Sequence, residues 1–106
     1  MRRAYVLTAE ARSDLKEILL GIADVDENAA LRIQSEFDEA FRVVARNPGI
    51  GHYRTDLLDR RYRFWTCYSW VICYRWERNP LRIVAIIHGA RELGAIFPSR
   101  FSSEVV

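Results

Sequence analysis

Apolar residues in the first quarter of the chain recur at intervals of three and four, the spacing of one face of an α-helix. These positions are Ala11, Leu15, Ile18, Leu19 and Ile22. Charged residues occupy the positions between them, so the pattern predicts an amphipathic helix over about residues 9–23. Thr8 stands just before this helix and is a favourable N-cap, because its hydroxyl can accept a hydrogen bond from a backbone N–H. The apolar run at residues 4–7 predicts a short preceding strand.

A second apolar stripe predicts a second helix over about residues 27–46. It is formed by Ala30, Ile33, Phe37, Phe41 and Val44. Between the two stripes, residues 24–28 are of types that favour turns and caps. Asn47-Pro48-Gly49 ends the second helix, since proline cannot continue its hydrogen-bond ladder. The two helices are therefore predicted to pack as an antiparallel hairpin.

The second half of the chain changes character and predicts strands. After a loop at residues 49–59, three segments are rich in aromatic and β-branched residues: Tyr62–Cys67, Trp70–Trp76 and Leu81–Ile87. Their short connections predict an antiparallel meander, with the helical hairpin covering one face. A short helix is predicted at Ala90–Phe97, with Pro98 ending it. The expected fold is α+β, and the length suits a single domain over residues 1–106.

Composition narrows the class of protein further. The longest uninterrupted apolar run is residues 83–87, far below the roughly 20 residues of a membrane-spanning helix. Charged residues follow the N-terminal apolar stretch where a signal peptide would continue, so a cytoplasmic protein without a membrane segment is expected. The spacing of Cys67 and Cys73 matches neither a zinc site nor a disulfide framework and favours buried or half-buried thiols.

Charge is distributed unevenly along the chain and comes almost entirely from arginine. Residues 1–47 hold seven Lys/Arg against nine Asp/Glu, whereas residues 48–106 hold nine against five. Fifteen of the sixteen cations are arginine, and Lys16 is the only lysine. A coding bias toward arginine explains this composition as well as a function does. The functional interpretation is that the second half faces an acidic protein or a phosphate-bearing partner.

Five segments of the chain, in this order and spacing, resemble one family of small proteins. They are Thr8–Ala11 with Asp14–Ile18, Pro48-x-Ile50-Gly51, Arg63-Phe64-Trp65, Trp70–Arg75, and the ending Ile83–Leu93 with its His88-Gly89-x-Arg91 sequence. Over about residues 4–97 the chain resembles the ParE branch of the RelE/ParE superfamily. The resemblance implies the α+β fold described above, with its short N-terminal strand, helical hairpin, three-stranded meander and short C-terminal helix.

The resemblance also implies a function. RelE/ParE proteins are the toxins of type II toxin-antitoxin systems, known also as plasmid stabilisation systems. Each is neutralised by a cognate antitoxin, here expected to be ParD-like, through which alone the toxin would reach operator DNA. ParE-like toxins inhibit DNA gyrase, whereas RelE-like relatives cut mRNA on the ribosome. The fold alone does not decide between these two targets.

A ribosome-dependent nuclease needs a base, an acid and cations close together. The candidates here are His88, Arg63 and Arg91, which together with Arg75 are predicted to converge at one edge of the sheet. RelE-type nucleases carry a further basic cluster and, in many members, a tyrosine near the C-terminus. This chain has Gly89 after His88 and no tyrosine in its last segment, so the resemblance implies no catalytic residue.

Each candidate also has a structural interpretation. A histidine at a strand end more often forms a local hydrogen bond than acts as an acid or base. Arg91 is expected to hold the C-terminal helix on the sheet. For Arg63, two roles have equal weight: anchoring the loop before its strand, and contacting a partner. The predicted partner-binding residues are therefore Arg63, Arg75 and Arg91. His52 has no neighbours at metal-ligand spacing, and neither a metal nor a cofactor is expected.

The aromatic residues of the strands allow two interpretations, a core or a platform on which nucleic-acid bases stack. They are Phe64, Trp65, Tyr68, Trp70, Tyr74 and Trp76. Because one face of the sheet must lie under the helices, at least half of them are predicted to be core. The favoured hypothesis is a toxin that inhibits gyrase by binding it. The alternatives are a ribosome-dependent mRNA endoribonuclease and a non-toxic partner and co-repressor of its antitoxin.

Overall fold

A computed structural model describes residues 4–76, 79–89 and 93–100, with the side chains of 95 and 98–100 left out. The elements are β1 (Tyr5–Leu7), α1 (Ala9–Ala23), α2 (Glu27–Arg46), a 3-10 turn (Pro48–Ile50), β2 (Tyr62–Cys67), β3 (Trp70–Arg75), β4 (Leu81–His88) and α3 (Leu93–Arg100). Both long helices therefore lie where the apolar spacing predicts them. None of the helices in these ranges is long and apolar enough to cross a membrane.

The four strands form one sheet in the order β1-β4-β3-β2. Strands β2, β3 and β4 pair antiparallel, which confirms the predicted meander. The short strand β1 pairs parallel with β4, Tyr5 lying opposite Leu81. Strand β4 is thus flanked on both sides over its first residues, which explains why it is the most continuously apolar segment of the chain.

Both long helices begin at a capping side chain, Thr8 as predicted and Asp26 within the segment whose residues favour turns and caps. Thr8 Oγ1 accepts a hydrogen bond from the Ala11 N–H at 3.2 Å, and its own N–H donates to the Ile83 carbonyl at 3.0 Å. Asp26 Oδ1 accepts from the N–H groups of Asn28 and Ala29, so it caps α2. The Thr8 bonds join the start of α1 to β4, which fixes where the hairpin begins on the sheet.

One face of the sheet packs under the helical hairpin and forms the first core. Its buried residues are Ala11, Phe37, Ala40, Phe41, Val44, Ile72, Tyr74, Leu81, Ile83 and Ile86. Rings make up much of it: Phe37 contacts Phe41 at 6.1 Å and Trp70 at 5.5 Å between centroids. Trp65, Trp70 and Tyr74 are therefore core or core-flanking residues.

The opposite face is also covered and forms a second core. Its buried residues are Tyr62, Phe64, Cys73, Val84, Ala85, Ile87 and Phe97. Leu57 and Leu58 of the loop before β2 pack against it, and α3 contributes Phe97, whose ring meets that of Phe64 edge-on at 5.4 Å. The loop at residues 49–59 is thus partly a cover for the sheet. The thiol of Cys73 is buried and that of Cys67 half-buried, as predicted.

A bulge breaks the regular pairing of the two central strands. Cys73 lies opposite Ala85 but Tyr74 lies opposite Ile83, so Val84 is the extra residue. Val84 and Ala85 both belong to the second core, whereas Ile83 and Ile86 belong to the first. This irregularity lets a run of five apolar residues supply both faces of the sheet.

The end of the chain departs from the predicted boundaries. The helix was predicted at Ala90–Phe97, but α3 runs over Leu93–Arg100 and continues through Pro98; residues 90–92 lie outside the described part of the chain. Proline fixes φ near the helical value and removes one N–H donor, which a helix this short tolerates. The prediction that Pro98 ends the helix is therefore wrong. Strand β4 extends one residue further than predicted, to His88, and β3 ends one residue earlier, at Arg75.

Candidate functional site

The sheet has two ends, and the predicted site residues are divided between them. In the register, Arg63 lies opposite Tyr74 and Arg75 opposite Tyr62, whereas His88 lies opposite Trp70. Tyr74 lies four positions beyond Trp70 in β3, a distance of about 13 Å along the strand at roughly 3.3 Å per residue. The prediction that His88 converges with Arg63 and Arg75 is therefore wrong. Arg91 lies outside the described residues.

Arg63 is held by the loop that precedes its strand. Its Nη1 donates to the carbonyl oxygens of Gly49 at 3.4 Å and Gly51 at 3.2 Å, and its Nη2 donates to the Tyr53 hydroxyl at 2.7 Å. The guanidinium carbon also lies 4.2 Å from the centroid of the Tyr53 ring. Of the two roles considered for this arginine, anchoring the loop is the one that these contacts show.

Tyr74 pins the same loop from beneath. Its buried hydroxyl accepts a hydrogen bond from the Gly51 N–H at 2.9 Å and donates one to the Pro48 carbonyl. Burial raises the pKa of this phenol, although the bond from Gly51 acts in the opposite direction. A Cβ on Gly51 would lie 2.8 Å from the Tyr74 ring, so only glycine fits this close approach. Two backbone bonds of 2.8 Å between His52 and Phe64 complete the attachment.

Four side chains at this end form an alternating stack, which we call the arginine–aromatic ladder: Arg60, Tyr53, Arg63 and Trp76. The guanidinium carbons of Arg60 and Arg63 lie 4.9 and 4.2 Å from the Tyr53 centroid, and that of Arg63 lies 5.8 Å from the Trp76 ring. Tyr53 is 39% exposed and Trp76 46% exposed. The ladder is thus a surface feature that presents cations and rings together. Trp76 was among the aromatic residues singled out from the sequence, but Tyr53 and Arg60 were not, because no periodic pattern marks their loop.

A second group of cations lies around Tyr62 at the same end of the sheet. Arg61 and Arg75 each lie 5.7 Å from the Tyr62 ring, and Arg75 is the cross-strand neighbour of Arg82. Arg61 also pairs with Asp59 at 2.7 Å, and its side-chain hydrogen bond is the main cause that lowers the pKa of Asp59 to about 2. Arginines of the chain's second half therefore gather at this end of the sheet.

The His88 end has different chemistry. The His88 ring meets the Trp70 ring edge-on at 5.9 Å, at the side of an open cavity of about 380 Å³. That cavity is lined by Glu17, Ile18, Gly21, Ile22, Trp70 and His88. Within the ranges that the structure describes, its lining holds an acid and a histidine but no arginine or lysine. Such a lining lacks the cations that would stabilise a phosphate undergoing cleavage.

The described residues contain no group of three or more His, Cys, Asp or Glu side chains placed to hold a metal ion. Ion pairs among the described residues, such as those of Glu39 with Arg42 and Arg46, lie at the surface. The described residues present an arginine-rich surface at one end of the sheet.

Comparisons with known proteins cover most of the chain. A family model described as the ParE toxin of the type II toxin-antitoxin system parDE matches residues 5–93. Among solved structures, a chain of the chromosomal ParDE toxin-antitoxin system from P. aeruginosa superposes with a TM-score of 0.67 at 17% sequence identity. The match covers 79% of this chain and 92% of that one, and at this identity it shows a shared fold. No curated protein sequence matches the chain.

Proposed function

Because this chain belongs to the ParE toxin family of type II toxin-antitoxin systems, we propose that it arrests growth by binding and inhibiting DNA gyrase. A cognate ParD-like antitoxin neutralises it, and the pair reaches operator DNA only through the antitoxin. The protein acts in the cytoplasm, where gyrase is found. No catalytic residue is assigned.

The separation of His88 from Arg63 and Arg75 is the observation that carries this proposal. RNA cleavage needs a proton-transfer group beside cations that stabilise the phosphate. Here His88 lies at the Trp70 end of β3, and Arg63 and Arg75 lie at the other end. Arg63 has its donors turned toward loop carbonyls rather than toward an open site. This supports inhibition by binding over an endoribonuclease built from His88, Arg63 and Arg91.

The helical hairpin offers a surface for the antitoxin. Leu20, Val25 and Leu31 lie at or near the turn between α1 and α2, and they are 56%, 89% and 62% exposed. Three exposed aliphatic side chains on adjoining segments form an apolar surface that a helix or extended segment of a partner can cover. This surface is on the His88 side of the molecule, because Gly21 and Ile22 line the cavity beside His88.

Gyrase supercoiling of relaxed plasmid, titrated with the purified protein, tests the proposal. We expect dose-dependent loss of supercoiling or accumulation of cleaved DNA, and recovery when the antitoxin is added in equal amount. A folded protein that arrests growth but leaves supercoiling unchanged would contradict gyrase as the target. Cleaved transcripts in the same cells would then favour the endoribonuclease. Unchanged growth after strong induction without antitoxin would favour a co-repressor that has lost its toxicity.

A further inference from the structure

We propose that the arginine–aromatic ladder is the surface with which this toxin binds its protein target, and that it receives an acidic segment of that target. The proposal rests on the proposed function in taking gyrase as the target. It goes beyond that function by naming the contact residues and the chemistry that they recognise: a carboxylate at Arg60, with an adjoining apolar or planar group covering Tyr53 and Trp76.

Arg63 and Tyr53, at the centre of the ladder, are held in place before any partner arrives. Arg63 is fixed by three acceptors, the carbonyls of Gly49 and Gly51 and the Tyr53 hydroxyl. The loop beneath is fixed by Tyr74 and by the paired backbone bonds between His52 and Phe64. Side chains that are already ordered lose less conformational entropy on binding, so a preorganised surface binds more tightly than a flexible one of equal area.

The two arginines of the ladder have no counter-charge among the described residues. Arg60 and Arg63 both lie against the Tyr53 ring, and within the described residues neither contacts a carboxylate. The neighbouring Arg54 and Arg61, by contrast, pair with Asp56 and Asp59. Arg60 forms no hydrogen bond to the described part of the chain, so its N–H groups are available to a carboxylate in the two-bond geometry that guanidinium favours. An incoming carboxylate would also offset the repulsion between the two like charges.

Exposed rings stand beside these cations. Tyr53 and Trp76 leave 39% and 46% of their surface open, although each already contacts the guanidinium of Arg63. Tyrosine, tryptophan and arginine are the residues that contribute most to protein–protein binding when a partner buries them together. A surface of this composition suits a protein partner.

The acids on the same loop favour a protein carboxylate over a nucleic-acid backbone. Hydrogen bonds from Arg54 and Arg61 lower the pKa of Asp56 and Asp59, so both stay ionised at neutral pH. A DNA duplex carries one negative charge per about 1.7 Å of its axis and would bring several phosphates against these acids. The exposed apolar surface at Leu20 and Leu31 lies at the other end of the molecule and is left for the antitoxin.

The test compares three variants of the full chain: Arg60→Gln, Trp76→Leu and the matched control Arg82→Gln. Arg82 is an exposed arginine at the same end of the sheet, next to Arg75, so its removal costs the same charge outside the ladder. Binding to purified gyrase, with and without DNA, and to the antitoxin is measured for each, together with growth arrest on induction. Circular dichroism establishes that each variant is folded.

We expect Arg60→Gln and Trp76→Leu to weaken gyrase binding about tenfold, with or without DNA, and to relieve growth arrest. Arg82→Gln should stay near wild type, and all three should bind antitoxin unchanged. Equal losses of gyrase binding in Arg60→Gln and Arg82→Gln would overturn the proposal, because they would show that only the overall positive charge matters. A loss seen only with DNA would assign the surface to nucleic acid, and a loss of antitoxin binding alone would assign it to the antitoxin.

The growth readout separates this proposal from the choice of gyrase. If the wild-type protein arrests growth without binding gyrase, the proposed function fails. The ladder still stands if Arg60→Gln and Trp76→Leu relieve the arrest and Arg82→Gln does not. Full growth arrest by folded Arg60→Gln and Trp76→Leu would overturn the ladder whichever target the toxin has. A wild-type protein that neither arrests growth nor binds gyrase would overturn both.

Discussion

Asp14 of α1 accepts a hydrogen bond through its Oδ2 atom from the backbone N–H of Ile86, 3.0 Å away and 72 residues later in the chain. Strand β1 pairs with β4 only as far as Ile83, so the edge of β4 beyond that point has no neighbouring strand. The Thr8 hydroxyl donates a hydrogen bond of 3.5 Å to the carbonyl oxygen of Val84, the residue after Ile83. Side chains at the start of α1 thus supply hydrogen bonds along the part of this edge that β1 does not reach.

Replacing Asp14 with alanine should destabilise the protein. The Ile86 N–H would lose its acceptor in a part-buried place, and an unsatisfied donor costs about 1–3 kcal/mol. Urea unfolding followed by circular dichroism measures the change in the free energy of unfolding. Lys16→Ala, at an exposed position of the same helix, is the control and should change little. Equal effects of the two substitutions would show that the bond to Ile86 contributes nothing.

Two glycines two positions apart in or near the 3-10 turn, Gly49 and Gly51, should respond differently to alanine. At Gly51 the new methyl group would meet the Tyr74 ring at 2.8 Å, whereas at Gly49 nothing lies within 4 Å. We expect Gly51→Ala to lower the free energy of unfolding by about 1–3 kcal/mol through overpacking, and Gly49→Ala to leave it nearly unchanged. Thermal and urea unfolding of the two variants check this. A stable Gly51→Ala protein would mean that Tyr74 moves aside easily.

Removing the Arg63 guanidinium should free the loop before β2. Arg63→Gln loses the bonds to Gly49, Gly51 and Tyr53 while the strand itself remains paired. Trypsin should then cut the native protein faster after Arg54, Arg60 or Arg61, as mass spectrometry of the fragments would reveal. Arg63→Lys should behave similarly, because lysine cannot reproduce the planar set of donors. Cleavage at the wild-type rate would show that Tyr74 and the His52–Phe64 pairing hold the loop without this arginine.

Asp59 should titrate at unusually low pH. Its pKa is lowered to about 2, chiefly by the Arg61 side chain, so the folded state favours its ionised form. Any stability that this pair contributes is present above the ordinary aspartate pKa near 4 and is lost as pH falls from about 4 to about 2. The contribution is small, because the Asp59 side chain is 55% exposed and solvent screens the pair. Carboxyl-carbon NMR titration should find the Asp59 midpoint near 2 in the wild type, and nearer its ordinary value in Arg61→Gln. An unchanged midpoint would remove Arg61 as the cause.

His88→Ala should leave toxicity largely intact. His88 contacts the Trp70 ring at the end of the sheet remote from Arg63 and Arg75, so its loss removes no part of a shared site. Growth after induction without antitoxin, compared with the wild type and with Arg60→Gln, is the measurement. A folded His88→Ala protein that no longer arrests growth would count heavily against inhibition by binding and would return attention to RNA cleavage.

Local patterns in the chain account for most of its elements. Apolar spacing predicts α1 and α2, and Thr8 predicts where α1 begins, because the helix period and the need to satisfy terminal N–H groups are local properties. The meander follows from three β-rich segments with short connections. The α3 boundaries do not follow in this way, because packing of Phe97 on Phe64 selects which residues of an eight-residue helix are used.

The grouping of the residues in the candidate site does not follow from local patterns. Its arginines could be named from the chain alone, and so could His88, but their grouping depends on strand register, which is set by contacts between residues far apart in sequence. Tyr53 and Arg60 lie in a segment without period, so contacts of the folded loop with Tyr74, Arg63 and Phe64 bring them to this end of the sheet.

The amino-acid sequence by itself therefore determined the helices, the meander and the family resemblance, since each depends on short-range periodicity or on residue identities in order. Only the tertiary structure decided that β1 lies beside β4, that both faces of the sheet are covered, and that Arg63 and His88 are at opposite ends. These relationships come from packing and hydrogen bonds between distant segments, such as that of Asp14 with Ile86, and no local pattern encodes them.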